Sequence, residues 1–77
     1  MKEIKILGPG CANCKRTYAL IERLAADRGI EVRLTKVEDL RDIMTYGILS
    51  TPGVVVDGTV VHAGGIPSLA KVTGWLS

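Results

Sequence analysis

Two cysteines separated by two residues, Cys11-Ala12-Asn13-Cys14, have the types and the spacing best suited to chemistry in this 77-residue chain. A short apolar segment precedes them and a stretch of helical periodicity follows, so the pair is expected at the start of a helix. Residues three apart on a helix have Cα atoms about 5 to 5.5 Å apart, within the roughly 4.4 to 6.8 Å that a disulfide accepts. The spacing therefore predicts a dithiol that can close and open with little backbone motion.

The two sulfurs of this pair are expected to differ in acidity. Cys11 would take the N-cap position, where free N–H groups and the positive end of the helix dipole lower the pKa of a thiol below the roughly 8.5 of free cysteine. Lys15, four residues on and exposed, adds a small cationic contribution. Cys14 falls on the apolar side of the helix and should be less accessible. This asymmetry suits two-step exchange, in which Cys11 attacks a disulfide and Cys14 resolves the mixed disulfide.

Two other interpretations of the same cysteines stay open. The first is a permanent disulfide or a pair of buried thiols, although permanent bridges are rare inside cells. The second is a zinc or copper module in which both thiolates are ligands. A structural zinc normally takes four ligands, however, and the chain has no second cysteine pair and one histidine. That residue, His62, is interpreted as an exposed strand residue rather than as a ligand or a base.

Small copper-carrying domains also place C-x-x-C after a first strand in a chain of about this length. They carry Met two residues before the first cysteine, where this chain has Pro9. They also end in a strand, whereas residues 69–76 have the periodicity of a helix. Both differences favour the redox interpretation over the metal one.

Turn residues divide the chain into seven short elements. Strand candidates are residues 4–7, 30–35, 53–56 and 59–63, the last two flanking Asp57-Gly58 as a hairpin turn. Helix candidates are residues 11–28, stopped by Gly29; a segment from Glu38-Asp39 to Gly47 with apolar Leu40, Ile43 and Met44; and one opened by Pro67 or Ser68, with Leu69, Val72 and Leu76 on one face. The order β-α-β-α-β-β-α predicts an α/β fold, in which a parallel βαβ half and an antiparallel ββα half share one four-stranded mixed sheet.

Length and composition restrict the chain to a small globular protein. Its 77 residues allow a single domain, 1–77, with a folded surface of roughly 4,500 Å². No apolar run approaches the roughly 18 to 20 residues of a membrane span, and the charges of Lys2, Glu3 and Lys5 do not fit a signal peptide. Ten cations interleaved with eight anions make a weak field. We therefore expect a cytoplasmic monomer that binds neither membranes nor nucleic acid.

The motifs occur in a familiar order. C-x-x-C after the first strand, Thr51-Pro52 before the hairpin and Gly64-Gly65 after it resemble the thioredoxin superfamily, and residues 46–58 look like the thioredoxin segment that carries the cis-proline. By spacing alone, Thr51-Pro52 indicates only a turn before a strand, and an X-Pro bond is usually trans. The brevity of the chain and its Gly-Cys-Ala-Asn-Cys segment are most similar to the small prokaryotic thioredoxin-like redox-active disulfide proteins, which have a glutaredoxin-sized core.

The resemblance implies a role for each matching residue. Cys11 would be the nucleophile and Cys14 the resolving thiol, and Pro52 would be cis and packed against them. Thr51 would offer its backbone to an extended substrate chain. Gly64-Gly65 matches the place where glutaredoxins hold glutathione.

The function implied is thiol–disulfide exchange with protein or small-molecule disulfides, with a reductase or glutathione as electron donor, no bound cofactor and no metal. Four features depart from the family patterns, and one is the pair Ala12-Asn13, which stands where these families carry Gly-Pro or Pro-Tyr between the cysteines. Gly10 stands where thioredoxins carry Trp, and Lys5 stands where they carry a buried Asp. Ile66 stands where glutaredoxins carry an acid. A third hypothesis is a binding domain whose Thr51-Pro52 edge holds a peptide.

Overall fold

The computed structural model describes all 77 residues and contains seven elements in the predicted order. The strands are β1 (Lys2–Leu7), β2 (Val32–Val37), β3 (Gly53–Val56) and β4 (Thr59–Ala63), and the helices are α1 (Ala12–Asp27), α2 (Leu40–Thr45) and α3 (Leu69–Leu76). The α/β class and the order β-α-β-α-β-β-α are confirmed. No helix is both long enough and apolar enough to cross a lipid bilayer.

The end of α1 explains why β2 begins two residues later than predicted. Gly29 has a φ of 65°, and its N–H donates to Ala26 O at 3.1 Å. The N–H of Ile30 donates to Ala25 O at 2.9 Å. These two bonds form a Schellman motif, which satisfies the last carbonyls of the helix and keeps Ile30 in the turn.

One mixed sheet has the strand order β2-β1-β3-β4. β1 and β2 are parallel, whereas β1 with β3 and β3 with β4 are antiparallel. The hairpin turn has positive φ at both Asp57 (48°) and Gly58 (85°), the conformation that matches the twist of the flanking strands. The structure confirms the predicted four-stranded mixed sheet.

Each face of the sheet has its own apolar cluster. The face under α1 and α3 buries the larger one, which consists of Ile4, Ile6, Ile21, Ala25, Val54, Val72 and Leu76. The face under α2 buries Leu7, Ile43 and Val55. The folded surface of 4631 Å² agrees with the value expected from the length of the chain.

α2 and α3 expose apolar residues that were predicted to face the core. Leu40 and Met44 are 64% and 73% exposed, and Leu69 at the start of α3 is 61% exposed. α2 has six residues, fewer than two turns, and Ile43 is the only one of them that is buried. The apolar side predicted for α2 is therefore wrong at two of its three positions.

A β-bulge interrupts the pairing of β3 with β4. Val54 pairs with His62 and Val55 with Val60, which leaves Val61 as the extra residue. Val61 packs against the cluster under α1 and α3, and the ring of His62 contacts Trp75 of α3. The bulge thus directs two consecutive side chains to the same face of the sheet, which regular alternation would not do.

Candidate active site

The two cysteines form a disulfide at the start of α1, with their Cα atoms 5.1 Å apart. Cys11 is the N-cap residue, with φ −67° and ψ 166°, and its Sγ accepts the N–H of Cys14 at 3.2 Å. Its carbonyl accepts the N–H of Lys15 at 3.1 Å. Cys11 is exposed, whereas Cys14 is 6% exposed. One cysteine of the pair is therefore exposed to solvent and the other is buried at the start of the helix.

Gly8, at the end of β1, provides the space that Cys14 occupies. A Cβ on Gly8 would overlap Sγ of Cys14 and would lie 3.3 Å from its Cβ and 3.7 Å from Cβ of Thr51. The end of β1, the start of α1 and the loop before β3 therefore meet at this glycine. In the sequence Gly8 has the pattern of a turn residue, and nothing in its spacing indicates this close approach.

The loop before β3 brings Thr51 and Pro52 to the same place. The Thr51–Pro52 peptide bond is cis, Pro52 is fully buried, and Thr51 is half-buried. Pro52 O accepts the N–H of Gly64 at 2.9 Å, but neither the N–H nor the C=O of Thr51 has a hydrogen-bond partner in the chain. Thr51 therefore presents one unpaired donor and one unpaired acceptor beside the disulfide.

Gly64 and Gly65 follow β4 as a turn, with φ of 88° and 71°. Gly64 is joined to the site by its bond to Pro52, and a Cβ on it would lie 3.1 Å from Cβ of Ser50. Gly65 is exposed, its N–H is unpaired, and its carbonyl accepts a hydrogen bond from His62 Nε2 at 2.9 Å. The structure therefore places the turn next to Pro52 and leaves the N–H of Gly65 without a partner in the chain.

A small cavity lies beside Cys14, and part of its lining consists of charged side chains. Its lining consists of Ile6, Gly8, Gly10, Cys14, Lys15, Lys36 and Glu38. Lys36 also lies over the ring of Tyr18, with Nζ 4.9 Å from the ring centroid. A Cβ on Gly10, whose φ is 91°, would lie 3.0 Å from Glu38 Oε2. Sequence reasoning identified Lys15 but missed Lys36 and Glu38, because these two reach the site from the end of β2.

Lys5 lies on the opposite face of the sheet from Cys14. Ile4 and Ile6 on either side of it belong to the cluster under α1, so alternation directs Lys5 toward the α2 face. There its Nζ donates to the Tyr46 hydroxyl at 3.2 Å. This hydrogen bond raises the pKa of Lys5 above its ordinary 10.5. Lys5 is thus bound to Tyr46 and does not face the disulfide.

His62 has more contacts than the sequence indicated. It is half-buried rather than exposed, and besides Gly65 it contacts Lys71 of α3, with Nδ1 3.4 Å from Lys71 Nζ. No group of three or more His, Cys, Asp or Glu side chains lies close enough together to hold a metal ion. The interpretation of His62 as an exposed strand residue is therefore corrected, and its ring nitrogens bind protein groups.

Comparison with known proteins agrees with this geometry. Residues 2–77 match the family model described as a thioredoxin domain. The chain is 35% identical over 72 residues to a protein named thioredoxin from Methanocaldococcus jannaschii, an alignment that covers 94% of this chain and 83% of that relative. It is 30% identical over 77 residues to a protein named thioredoxin from Methanothermobacter thermautotrophicus, and this alignment covers both chains completely. The chain belongs to the thioredoxin superfamily, and with its Cys11–Cys14 disulfide it is a dithiol–disulfide oxidoreductase.

Proposed function

We propose that Cys11 is the nucleophile and Cys14 the resolving thiol of the exchange reaction. In the reduced protein, the Cys11 thiolate attacks one sulfur of a substrate disulfide, forms a mixed disulfide and releases the first substrate thiol. Cys14 then loses its proton and attacks Cys11 Sγ, which forms the Cys11–Cys14 disulfide and releases the second thiol. Two electrons and two protons pass to the substrate, which leaves as two thiols.

The observation that carries this assignment is the difference in exposure of the two cysteine residues. Cys11 is exposed at a helix N-terminus, and Cys14 is 6% exposed. Only an exposed sulfur can meet the disulfide of a folded partner, and a helix N-terminus favours its thiolate. Lys15, exposed one turn into the helix, adds a small, salt-screened attraction for the thiolate.

Thr51, Pro52, Gly64 and Gly65 form the substrate-binding surface in this proposal. An extended chain attached to Cys11 would pair with the unpaired N–H and C=O of Thr51, as a short added strand. Pro52 holds this segment through its bond to Gly64. The unpaired N–H of Gly65 offers one more donor for a peptide carbonyl or a small-thiol carboxylate.

The same exchange chemistry indicates which partners the protein has and where the reaction takes place. The substrates are disulfide-containing proteins or small-thiol disulfides, and a reductase or glutathione returns the electrons. The reversible disulfide is the only redox group required, so no further cofactor or metal takes part. We expect the protein to be a single-domain monomer, residues 1–77, in the cytoplasm. Disulfides that form there are usually transient and catalytic rather than structural.

Trapping with the Cys14→Ser variant tests the assignment. This variant should accumulate mixed disulfides on Cys11 that a reductant releases, because the resolving thiol is absent. The matched Cys11→Ser variant should trap nothing and should lose disulfide reduction with a dithiol donor. If Cys11→Ser kept its activity, or if both variants trapped partners equally, the assignment of nucleophile and resolving thiol would be wrong.

A further inference from the structure

We infer that His62 is a positioning residue for the substrate surface: its ring fixes the Gly64–Gly65 turn beside Pro52. The inference rests on the proposed function, in which that turn contacts substrate. His62 lies in β4 and forms no hydrogen bond with either cysteine. It acts through the backbone of the turn.

The bulge in β4 explains why the imidazole of His62 can reach the turn. Since Val61 is the extra residue, Val61 and His62 both face the α1 and α3 side of the sheet. There the ring packs at a tilt of 57° to the indole of Trp75, with the ring centroids 6.1 Å apart. The chain reverses directly after Ala63, and this places Gly65 within reach of Nε2.

The two polar partners of the ring assign its tautomer. Gly65 O, 2.9 Å from Nε2, can only accept a hydrogen bond, so Nε2 must carry the proton. The Lys71 ammonium, 3.4 Å from Nδ1, can only donate, so Nδ1 must present its lone pair. The neutral Nε2–H form is the one that satisfies both contacts. The contact with Lys71 of α3 thus agrees with the tautomer that Gly65 O requires.

The turn is thus held at both of its glycines. Gly64 N–H donates to Pro52 O at 2.9 Å, and Gly65 O accepts from His62. Both glycines have positive φ, and such a backbone has no side-chain packing of its own to hold it. With the two anchors in place, the Gly65 N–H keeps a fixed position relative to Thr51. Without the His62 anchor, the turn would sample other positions, and a substrate would have to order it on binding.

Two substitutions separate the hydrogen bond from the bulk of the ring. His62→Phe keeps an aromatic ring against Trp75 but has no donor, whereas His62→Gln can place an amide N–H near the position of Nε2. We expect His62→Phe to raise KM for a protein disulfide by roughly two- to tenfold with kcat unchanged, the effect of one hydrogen bond. We expect His62→Gln to recover most of this loss. Lys71→Met, which leaves the bond to Gly65 in place, should change KM less than His62→Phe does.

Amide exchange and thiol alkylation identify the cause of any change in KM. Amide exchange at Gly64 should be faster in His62→Phe than in the wild type or His62→Gln, and the alkylation rate of Cys11 by iodoacetamide should be the same in all three. Faster exchange at Gly64 with an unchanged KM would overturn the positioning role, and so would an unchanged exchange rate. The assignment of Cys11 and Cys14 would be unaffected by either result, because it is tested separately by trapping.

The wild-type protein offers a test that needs no substitution. The ¹⁵N chemical shifts of the imidazole should show Nε2 protonated and Nδ1 unprotonated at mildly alkaline pH. The opposite tautomer, or an equal mixture, would mean that Gly65 O is not held by the ring, and it would overturn the inference even if His62→Phe failed to fold.

Discussion

Sγ of Cys14 occupies the space in which a side chain on Gly8 would begin. The contact joins Gly8, the residue that follows β1, to the buried cysteine of the redox pair, and it is possible because Gly8 has no side chain. In the disulfide, Cys14 is tied to Cys11 and cannot rotate away from a larger neighbour. In the dithiol, it can turn about its own Cα–Cβ bond. The two redox states should therefore tolerate a side chain at position 8 to different degrees.

The first prediction concerns Gly8→Ala. The added methyl should lower the free energy of unfolding of the oxidised protein by about 1–3 kcal/mol, which is the usual cost of overpacking. The loss in the reduced protein should be smaller. Urea unfolding of both redox states measures the difference.

Gly74→Ala is the matched control for Gly8→Ala. Gly74 lies inside α3, and a Cβ there meets nothing within 4 Å. This substitution should stabilise both redox states equally, by about 0.5–1 kcal/mol, since alanine is the better helix former. An equal loss for Gly8→Ala in both states would show that the contact with Cys14 does not distinguish them.

The second prediction concerns the unpaired backbone of Thr51. In the Cys14→Ser variant carrying a cysteine peptide on Cys11, hydrogen exchange at the Thr51 amide should slow by roughly tenfold or more, because the peptide backbone accepts that N–H. The Gly64 amide, already bonded to Pro52 O, should change much less. A mixed disulfide with 2-mercaptoethanol, which has no backbone, is the control. If the two adducts gave the same Thr51 exchange rate, pairing at Thr51 would be excluded.

The third prediction separates the buried and exposed apolar residues of α2. Ile43 is 3% exposed, and Ile43→Ala should cost about 2–5 kcal/mol of unfolding free energy through the cavity it leaves. Met44, at 73% exposed, should change stability by less than about 0.5 kcal/mol when replaced by alanine. Denaturant unfolding of the two variants gives the comparison, and similar losses would mean that α2 packs through more than one position.

The fourth prediction is a pH dependence that comes from Lys5. Its pKa is raised above 10.5 by the Tyr46 hydroxyl, so the folded state favours its charged form. The stabilisation is therefore complete below pH 10.5 and is lost as the pH rises through the raised pKa. Lys5→Met should be less stable than the wild type at neutral pH, and the difference should shrink in strong alkali.

Tyr46→Phe is the control for the alkaline effect, because it removes the hydroxyl that causes the shift. In that background, Lys5→Met should show a smaller pH-dependent difference in its urea midpoint. A difference that stayed constant into strong alkali would mean that Lys5 stabilises the fold by its hydrocarbon stem alone.

Local signals made much of the fold predictable. Gly29 ends α1 and Asp57-Gly58 forms the hairpin turn, because both places require a positive φ. Gly adopts a positive φ readily, so its position in the sequence indicates such a place. The placement of Cys11 at a helix start also followed from periodicity, and with it the geometry of the disulfide. Each of these features depends on neighbours within a few residues along the chain.

The features that escaped prediction depend on contacts between distant segments. From the sequence, Gly8 is interpreted as a turn residue, and nothing indicates its contact with Cys14. Glu38 reaches the site only because β2 lies beside β1. His62 faces α3 because of the β-bulge in β4, which no residue type in the sequence indicates. The apolar face of α2 was overestimated because periodicity indicates which residues could be buried, whereas the short helix brings only Ile43 to the sheet.

In the proposed complex, a partner bonds only to the unpaired N–H and C=O of Thr51 and to the N–H of Gly65, and these few hydrogen bonds limit how long it can stay. Each of these bonds contributes roughly 0.5–1.5 kcal/mol, and their sum is far too small to hold a protein in a lasting complex. A partner would remain only while its sulfur is joined to Cys11, so the rate at which Cys14 breaks that bond sets the lifetime of the complex. Because such recognition would depend little on the partner's sequence, the same site could reduce disulfides in many different proteins.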